Sequence, residues 1–128
     1  MLHHLVFWVP DLDRADESWS WLLGELAYEL DRRVDGFLVF RHADGFAIAL
    51  EQSGDMVEGM LYSRMRPGLN HMAFRVDSED ALKALLEAAP DYGWTQLPAD
   101  RHPIAPTNRV EYLEDRDGFE VELVAPIT

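Results

Sequence analysis

Apolar positions along the chain follow two periods, and the order of those periods predicts the elements. Leu2 to Val9 is a short, nearly continuous apolar run stopped by Pro10, the pattern of a buried strand. Asp11 follows as a helix cap. Leu12, Ala15, Trp19, Leu22 and Leu26 then recur at steps of three and four, one face of a helix that stops between Gly24 and Leu26. Asp13, Asp16 and Glu17 sit near its start, where the positive end of the helix dipole favours acids. Strand-like segments follow at Tyr28 to Val34, Phe37 to Arg41 and Phe46 to Glu51, with turns at Asp35-Gly36 and Asp44-Gly45 between them. One strand, one helix and three strands make up this half.

The stretch SGDMVEGMLYSRMRPG, residues 53–68, sustains no period and reads as a linker. After it the same order begins again. Leu69 to Val76 is a strand, and Ser78 caps a helix whose inner face is Ala81, Leu82, Leu85, Leu86 and Ala89 and which ends at Pro90. Trp94 to Leu97, Arg109 to Leu113 and Phe119 to Ala125 are the remaining strands, with a turn at Asp117-Gly118 and a proline-rich loop, PADRHPIAPTN, ahead of the second of them. Laid over one another, HLVFWV from His4 and HMAFRV from His71 match at His, Phe and Val. The expectation is one domain over residues 1–128, with module 1 at 1–52, the linker at 53–68 and module 2 at 69–128, both modules βαβββ and the class α+β.

Strand side chains alternate faces. Leu5, Phe7 and Val9 therefore belong under the first helix, and His4, Val6 and Trp8 on the other side; in the repeat, Met72, Phe74 and Val76 oppose His71, Ala73 and Arg75. On the closing strands Ile48 and Leu50 oppose Ala47, Ala49 and Glu51, and Val121 and Leu123 oppose Glu120, Glu122 and Val124. Each half thus offers a histidine on its first strand and a carboxylate on its last, beside the small residues Ala47, Ala49 and Ala73, as in a polar-dotted cavity. A lone strand histidine or glutamate is ordinarily structural. It is the repetition of His4 as His71 and of Glu51 as Glu122 that points to metal ligands, and two imidazoles with two carboxylates suit Zn, Ni, Co, Mn or Fe without choosing among them. Glu51 stands six residues after Gly45, whereas Glu122 stands four after Gly118, so a bulge or longer hairpin is needed to bring the two into register.

Composition removes several alternatives. With no cysteine in 128 residues, disulfides, zinc-thiolate sites, Fe–S clusters and thiol nucleophiles are excluded. A net charge of -13 opposes polyanions, so neither nucleic acid nor an anionic membrane is an expected partner. The N-terminal run lacks a basic leader and a small-residue cleavage site, and no apolar run is long enough to span a bilayer, which sets the expectation of a cytoplasmic protein.

The chain resembles the vicinal-oxygen-chelate superfamily, which includes glyoxalase I, fosfomycin-resistance and bleomycin-resistance proteins and extradiol dioxygenases. The carriers are HLVFWVPDL from His4, NHMAFRV from Asn70 and DGFEVELV from Asp117, and the resemblance extends over nearly the whole chain. It implies an incompletely closed, eight-stranded barrel-like sheet with helices outside, and a divalent metal that a small substrate chelates through adjacent oxygens. It implies His4, His71 and Glu122 as metal ligands, Glu51 as a fourth in the glyoxalase-like branch, and Glu51 or Glu122 as the group that moves a proton. Without Glu51 the set is a two-His-one-carboxylate triad, the oxygenase arrangement. The implied activity is lyase or isomerase chemistry through a metal-stabilised enediolate. The alternatives are an extradiol ring-cleaving dioxygenase with iron and a non-catalytic antibiotic-binding resistance protein. Trp8, Arg66, Arg75, His102 and Tyr112 are substrate-contact candidates, together with Arg64; the proline-rich loop is a candidate lid; and a homodimer is the expected assembly.

Overall fold

A computed structural model describes residues 1–98 and 107–127. The chain divides into two compact units, Met1–Leu61 and Tyr62–Thr128. Each is a βαβββ module, and residues 62–68, expected in a linker, belong to the second unit.

In the first unit, β1 (His4–Trp8) is followed by α1 (Leu12–Glu25), β2 (Tyr28–Val34), β3 (Phe37–His42) and β4 (Ala47–Glu51). The helix carries the chain from β1 to the far edge of the sheet, and two hairpins bring it back, so the spatial order is β1-β4-β3-β2 with β4 parallel to β1 and antiparallel to β3. Asp11 caps α1 as expected, its side chain accepting from the Arg14 backbone N–H. Ala15, Ser18, Trp19, Leu22 and Leu23 are its buried residues, and the Trp19 ring lies 4.8 Å from that of Phe7. Leu38, Phe40, Ile48 and Leu50 are buried on the face they share with Phe7, leaving His4, Val6 and Trp8 exposed on the other. After the helix the chain passes through Ala27 at φ 69°, a left-handed conformation that costs an L-residue roughly 1–2 kcal/mol.

The second unit repeats the plan with β5 (His71–Arg75), α2 (Glu79–Ala88), a 3-10 turn at Ala89–Tyr92, β6 (Thr95–Leu97), β7 (Asn108–Glu114) and β8 (Glu120–Pro126), in the order β5-β8-β7-β6. Ser78 caps α2 through a bond from Ala81 N–H. Pro90 does not end the helical path: it sits at the start of the 3-10 turn, where its missing N–H leaves nothing unsatisfied, and Gly93 at φ 85° makes the stop. Leu82 and Leu85 of α2 are buried, as are Leu113, Val121 and Leu123 on one face of the sheet.

The α+β class and the two modules are as expected. The eight strands hydrogen-bond as two four-stranded sheets, and neither closes into a barrel. Among the described residues no helix is long and apolar enough to cross a membrane.

Candidate functional site

In the second unit, β5 and β8 run parallel with His71 opposite Glu120 and Ala73 opposite Glu122. Parallel pairing places all four on one face. His71 Nε2 lies 3.6 Å from Glu122 Oε2, and Nδ1 lies 3.6 Å from Glu120 Oε2. On the other side of β8, Tyr112 is the cross-strand partner of Glu122 and its hydroxyl donates to Glu122 Oε1 at 3.0 Å. The Tyr112 and His71 rings meet edge-on, with centroids 6.3 Å apart. Glu122 is buried at 4% exposure, and a buried carboxylate needs partners: Tyr112 takes one oxygen and the other faces the imidazole.

Arg64, a substrate-contact candidate in the sequence, is instead committed to this sheet. It pairs with Glu114 and, through Nε, with Glu120 Oε1 at 3.3 Å, and Nη1 donates to the Gly118 carbonyl. Nearby, Tyr62 stacks on Phe119 at a centroid distance of 4.0 Å and donates its hydroxyl to the Leu69 carbonyl. Burial raises the Tyr62 hydroxyl above its ordinary pKa; Arg64 opposes that shift, and Glu120 and Asp115 add to it. Asn70 closes the segment, its Nδ2 donating to the Arg64 carbonyl at 3.0 Å while its Oδ1 lies 2.7 Å from His71 Nδ1. Arg66 is exposed in this segment, and Arg75 is exposed at the end of β5 on the face of His71.

In the first unit, His4 stands exposed at the start of β1, its Nδ1 2.8 Å from Nδ1 of His3. Glu51 closes β4 opposite Trp8, whose indole N–H donates to Glu51 Oε1 at 2.9 Å. The two modules can be aligned by their hydrogen bonds. His42 N–H donates to the Phe46 carbonyl as Asp115 N–H does to Phe119, and Val9 N–H reaches Glu51 as Val76 N–H reaches Val124. His4 lies opposite Ala47 as His71 lies opposite Glu120. Glu122 therefore corresponds to Ala49, and Glu51 corresponds to Val124. The bulge or longer hairpin required to equate the two glutamates is absent: the β1–β4 and β3–β4 registers are unbroken, and the register shift in this sheet falls between Leu30 and Arg32 on β2.

Within single units the structure thus joins His71, Glu122 and Tyr112, and joins Trp8 and Glu51. Ala47 and Ala49 are buried and Ala73 is exposed. His102 and most of the candidate lid lie outside the described residues. Glu114, Glu120 and Asn70 were not singled out by the sequence reading, although strand parity already set Glu120 on the face of Glu122. Among the described residues no group of three His, Asp or Glu side chains is arranged to hold a metal ion. The His71 Nε2–Glu122 Oε2 pair by itself fits a divalent ion: donors 3.6 Å apart can both be reached by bonds of about 2.1 Å.

A family model described as Glyoxalase/Bleomycin resistance protein/Dioxygenase superfamily matches residues 3–112. The uncharacterized protein YqjT of Bacillus subtilis is 32% identical over 127 residues, 98% of each chain. The crystal structure of a candidate glyoxalase from Bacillus halodurans has a TM-score of 0.86 at 34% identity, covering 98% of this chain and 96% of that one. The fosfomycin resistance protein FosX of Listeria monocytogenes, in complex with Mn(II) and 1S,2S-dihydroxypropylphosphonic acid, shares the fold with a TM-score of 0.68 at 24% identity, over 99% of this chain and 90% of that one.

Proposed function

The chain belongs to the Glyoxalase/Bleomycin resistance protein/Dioxygenase superfamily, and from that membership we propose that it is a divalent-metal-dependent enzyme acting on a small substrate that presents two adjacent oxygens. The reaction class is lyase or isomerase chemistry. The observation that carries the reading is the His71–Glu122 pair: a buried carboxylate with one oxygen held by Tyr112 and the other turned to an imidazole nitrogen. His71 and Glu122 are the proposed ligands from module 2, and His4, the counterpart of His71, is the proposed ligand from module 1. FosX, which shares this fold, is seen with Mn(II) and a compound bearing two vicinal hydroxyls, which supports both the ion and the substrate class.

When bound, the ion would supply Lewis-acid polarisation of a substrate oxygen. Tyr112 fixes the Glu122 carboxylate by holding Oε1. Glu51, two residues beyond the position that corresponds to Glu122, is the proposed proton-moving group rather than a ligand, and the Trp8 indole orients its Oε1.

Metal analysis of untagged protein after addition of Mn, Zn, Ni, Co or Fe tests the proposal. About one ion per chain, lost in His71→Ala with little change in stability, is the expected result. Metal that cannot be loaded to stoichiometry overturns the enzyme reading in favour of a ligand-sequestering protein. One observation favours a second reading. Ala49 at the position corresponding to Glu122 leaves two histidines and one carboxylate, the set of an extradiol dioxygenase; oxygen uptake with catechols by Fe(II)-loaded protein distinguishes it.

A further inference from the structure

Acids outnumber bases 24 to 11 in this chain, so an arginine that meets no carboxylate needs a reason. Arg14, Arg33, Arg41, Arg64 and Arg109 each hold one. Arg75 does not: among the described residues nothing bonds to it, and Asp77, two residues on, forms no ion pair with it. The strand register explains why. Arg75 lies opposite Val124, and Val124 opposite Val110, so no acid stands across from it.

Arg75 also shares the face of the His71–Glu122 pair. Ala73, one step before it on that face, lies opposite Glu122. A parallel strand rises about 3.3 Å per residue, which displaces Arg75 by about 6.6 Å along the sheet from the level of Glu122. Between those levels the surface is apolar: Ala73 is exposed, and Val124 and Val110 are half-buried beside Arg75. A polar pair, a short apolar step and an unclaimed guanidinium thus follow one another within the second unit.

We propose that Arg75 sets the substrate class: the substrate carries an oxyanionic group, carboxylate or phosphoryl, joined to its two adjacent oxygens by a short saturated link. The guanidinium is a planar fork of N–H donors that binds such groups bidentately, and in a chain of net charge -13 it is a local attraction for an anion. The proposal rests on the metal reading for the place of the adjacent oxygens, and on Arg75 for the anion.

The test is calorimetry of full-length, Mn(II)-loaded protein with three hydroxamates, whose adjacent oxygens chelate the ion. They are the monohydroxamate of succinic acid, 3-phosphonopropionohydroxamate, and the primary amide of the first, a neutral control of the same length. At least one anionic probe should bind about 5- to 10-fold tighter than the amide, the tighter of the two naming the group. Arg75→Gln should abolish that preference and leave Mn(II) affinity unchanged, and Arg75→Lys, which keeps the charge without the fork, should retain part of it. Equal binding of all three probes by the wild-type protein, or a preference that survives in Arg75→Gln, overturns the proposal. If the wild-type protein binds no Mn(II), the metal reading fails by itself and the anion subsite is read without metal, in 15N-arginine-labelled protein. The Arg75 Nε–H resonance, assigned by its absence in Arg75→Gln, should then move with succinate or 3-phosphonopropionate and stay still with succinamide. A resonance that moves with neither anion overturns the proposal.

Discussion

Arg64→Met should destabilise the protein far more than the loss of a linker arginine normally does. Glu114 and Glu120 are directly opposed on β7 and β8, with the Glu120 side chain fully buried and that of Glu114 30% exposed. Directly opposed residues have Cβ atoms about 5 Å apart, and two like charges at about that distance repel by about 3 kcal/mol at an effective dielectric constant near 20. Arg64, only 16% exposed, neutralises both. Breaking a buried pair by deleting one partner costs roughly 3–5 kcal/mol, and because water reaches Glu114 the lower end, about 3 kcal/mol, is expected. In a chain of this size that is a fall of roughly 10 °C in Tm. Adding Glu120→Gln to Arg64→Met removes one of the opposed charges and should recover most of the loss. Urea denaturation followed by circular dichroism measures all three proteins. An Arg64→Met variant within about 0.5 kcal/mol of wild type, the range of an ordinary surface substitution, or a double variant no more stable than the single one, would refute the account.

Ala27→Gly should stabilise by about 0.5–1 kcal/mol, because relief of the left-handed strain outweighs the extra chain entropy of glycine; an unchanged or lower Tm would count against it. Tyr62 is a neutral phenol whose folded pKa is raised, so its contribution is intact below about pH 10 and is lost as pH rises from there through the folded value. Tyr62→Phe should keep the stacking on Phe119 and flatten that alkaline decline, which a pH series of melting curves will show. Glu51→Gln should leave Mn(II) or Zn(II) affinity within a few-fold of wild type, whereas Glu122→Gln should lower it by about 100-fold or more; equal losses measured by calorimetry would restore Glu51 as a ligand.

Local signals were legible along the chain, and long-range ones were not. Asp11 and Ser78 could be read as caps because a cap is decided by the residue and its next three neighbours, and β2 runs from Tyr28 to Val34 as its pattern indicated. The α-helix stops at Ala88, just ahead of Pro90 as read, but the chain runs on as a 3-10 turn because proline is tolerated in a first turn, where its missing N–H is not needed. The mismatch between Glu51 and Glu122 was visible as a count from the turn glycine, but its meaning lay in the pairing of β4 with β1, across more than forty residues. The count was right, and no bulge intervenes to undo it. Arg64 was harder still: nothing in SRMRP distinguishes the arginine that reaches Glu114 and Glu120 from Arg66, which stays exposed.

The hydrogen-bond frame that maps Ala49 onto Glu122 also says how a duplicated fold can change its chemistry. Backbone pairing holds the shape of each copy, so a side chain on the face away from the helix is under no obligation to match its twin. One copy can keep an acid while the other carries a methyl group, with no strand lengthened and no turn rebuilt. Coordination number in such an architecture is then a matter of single side chains, open to revision one position at a time.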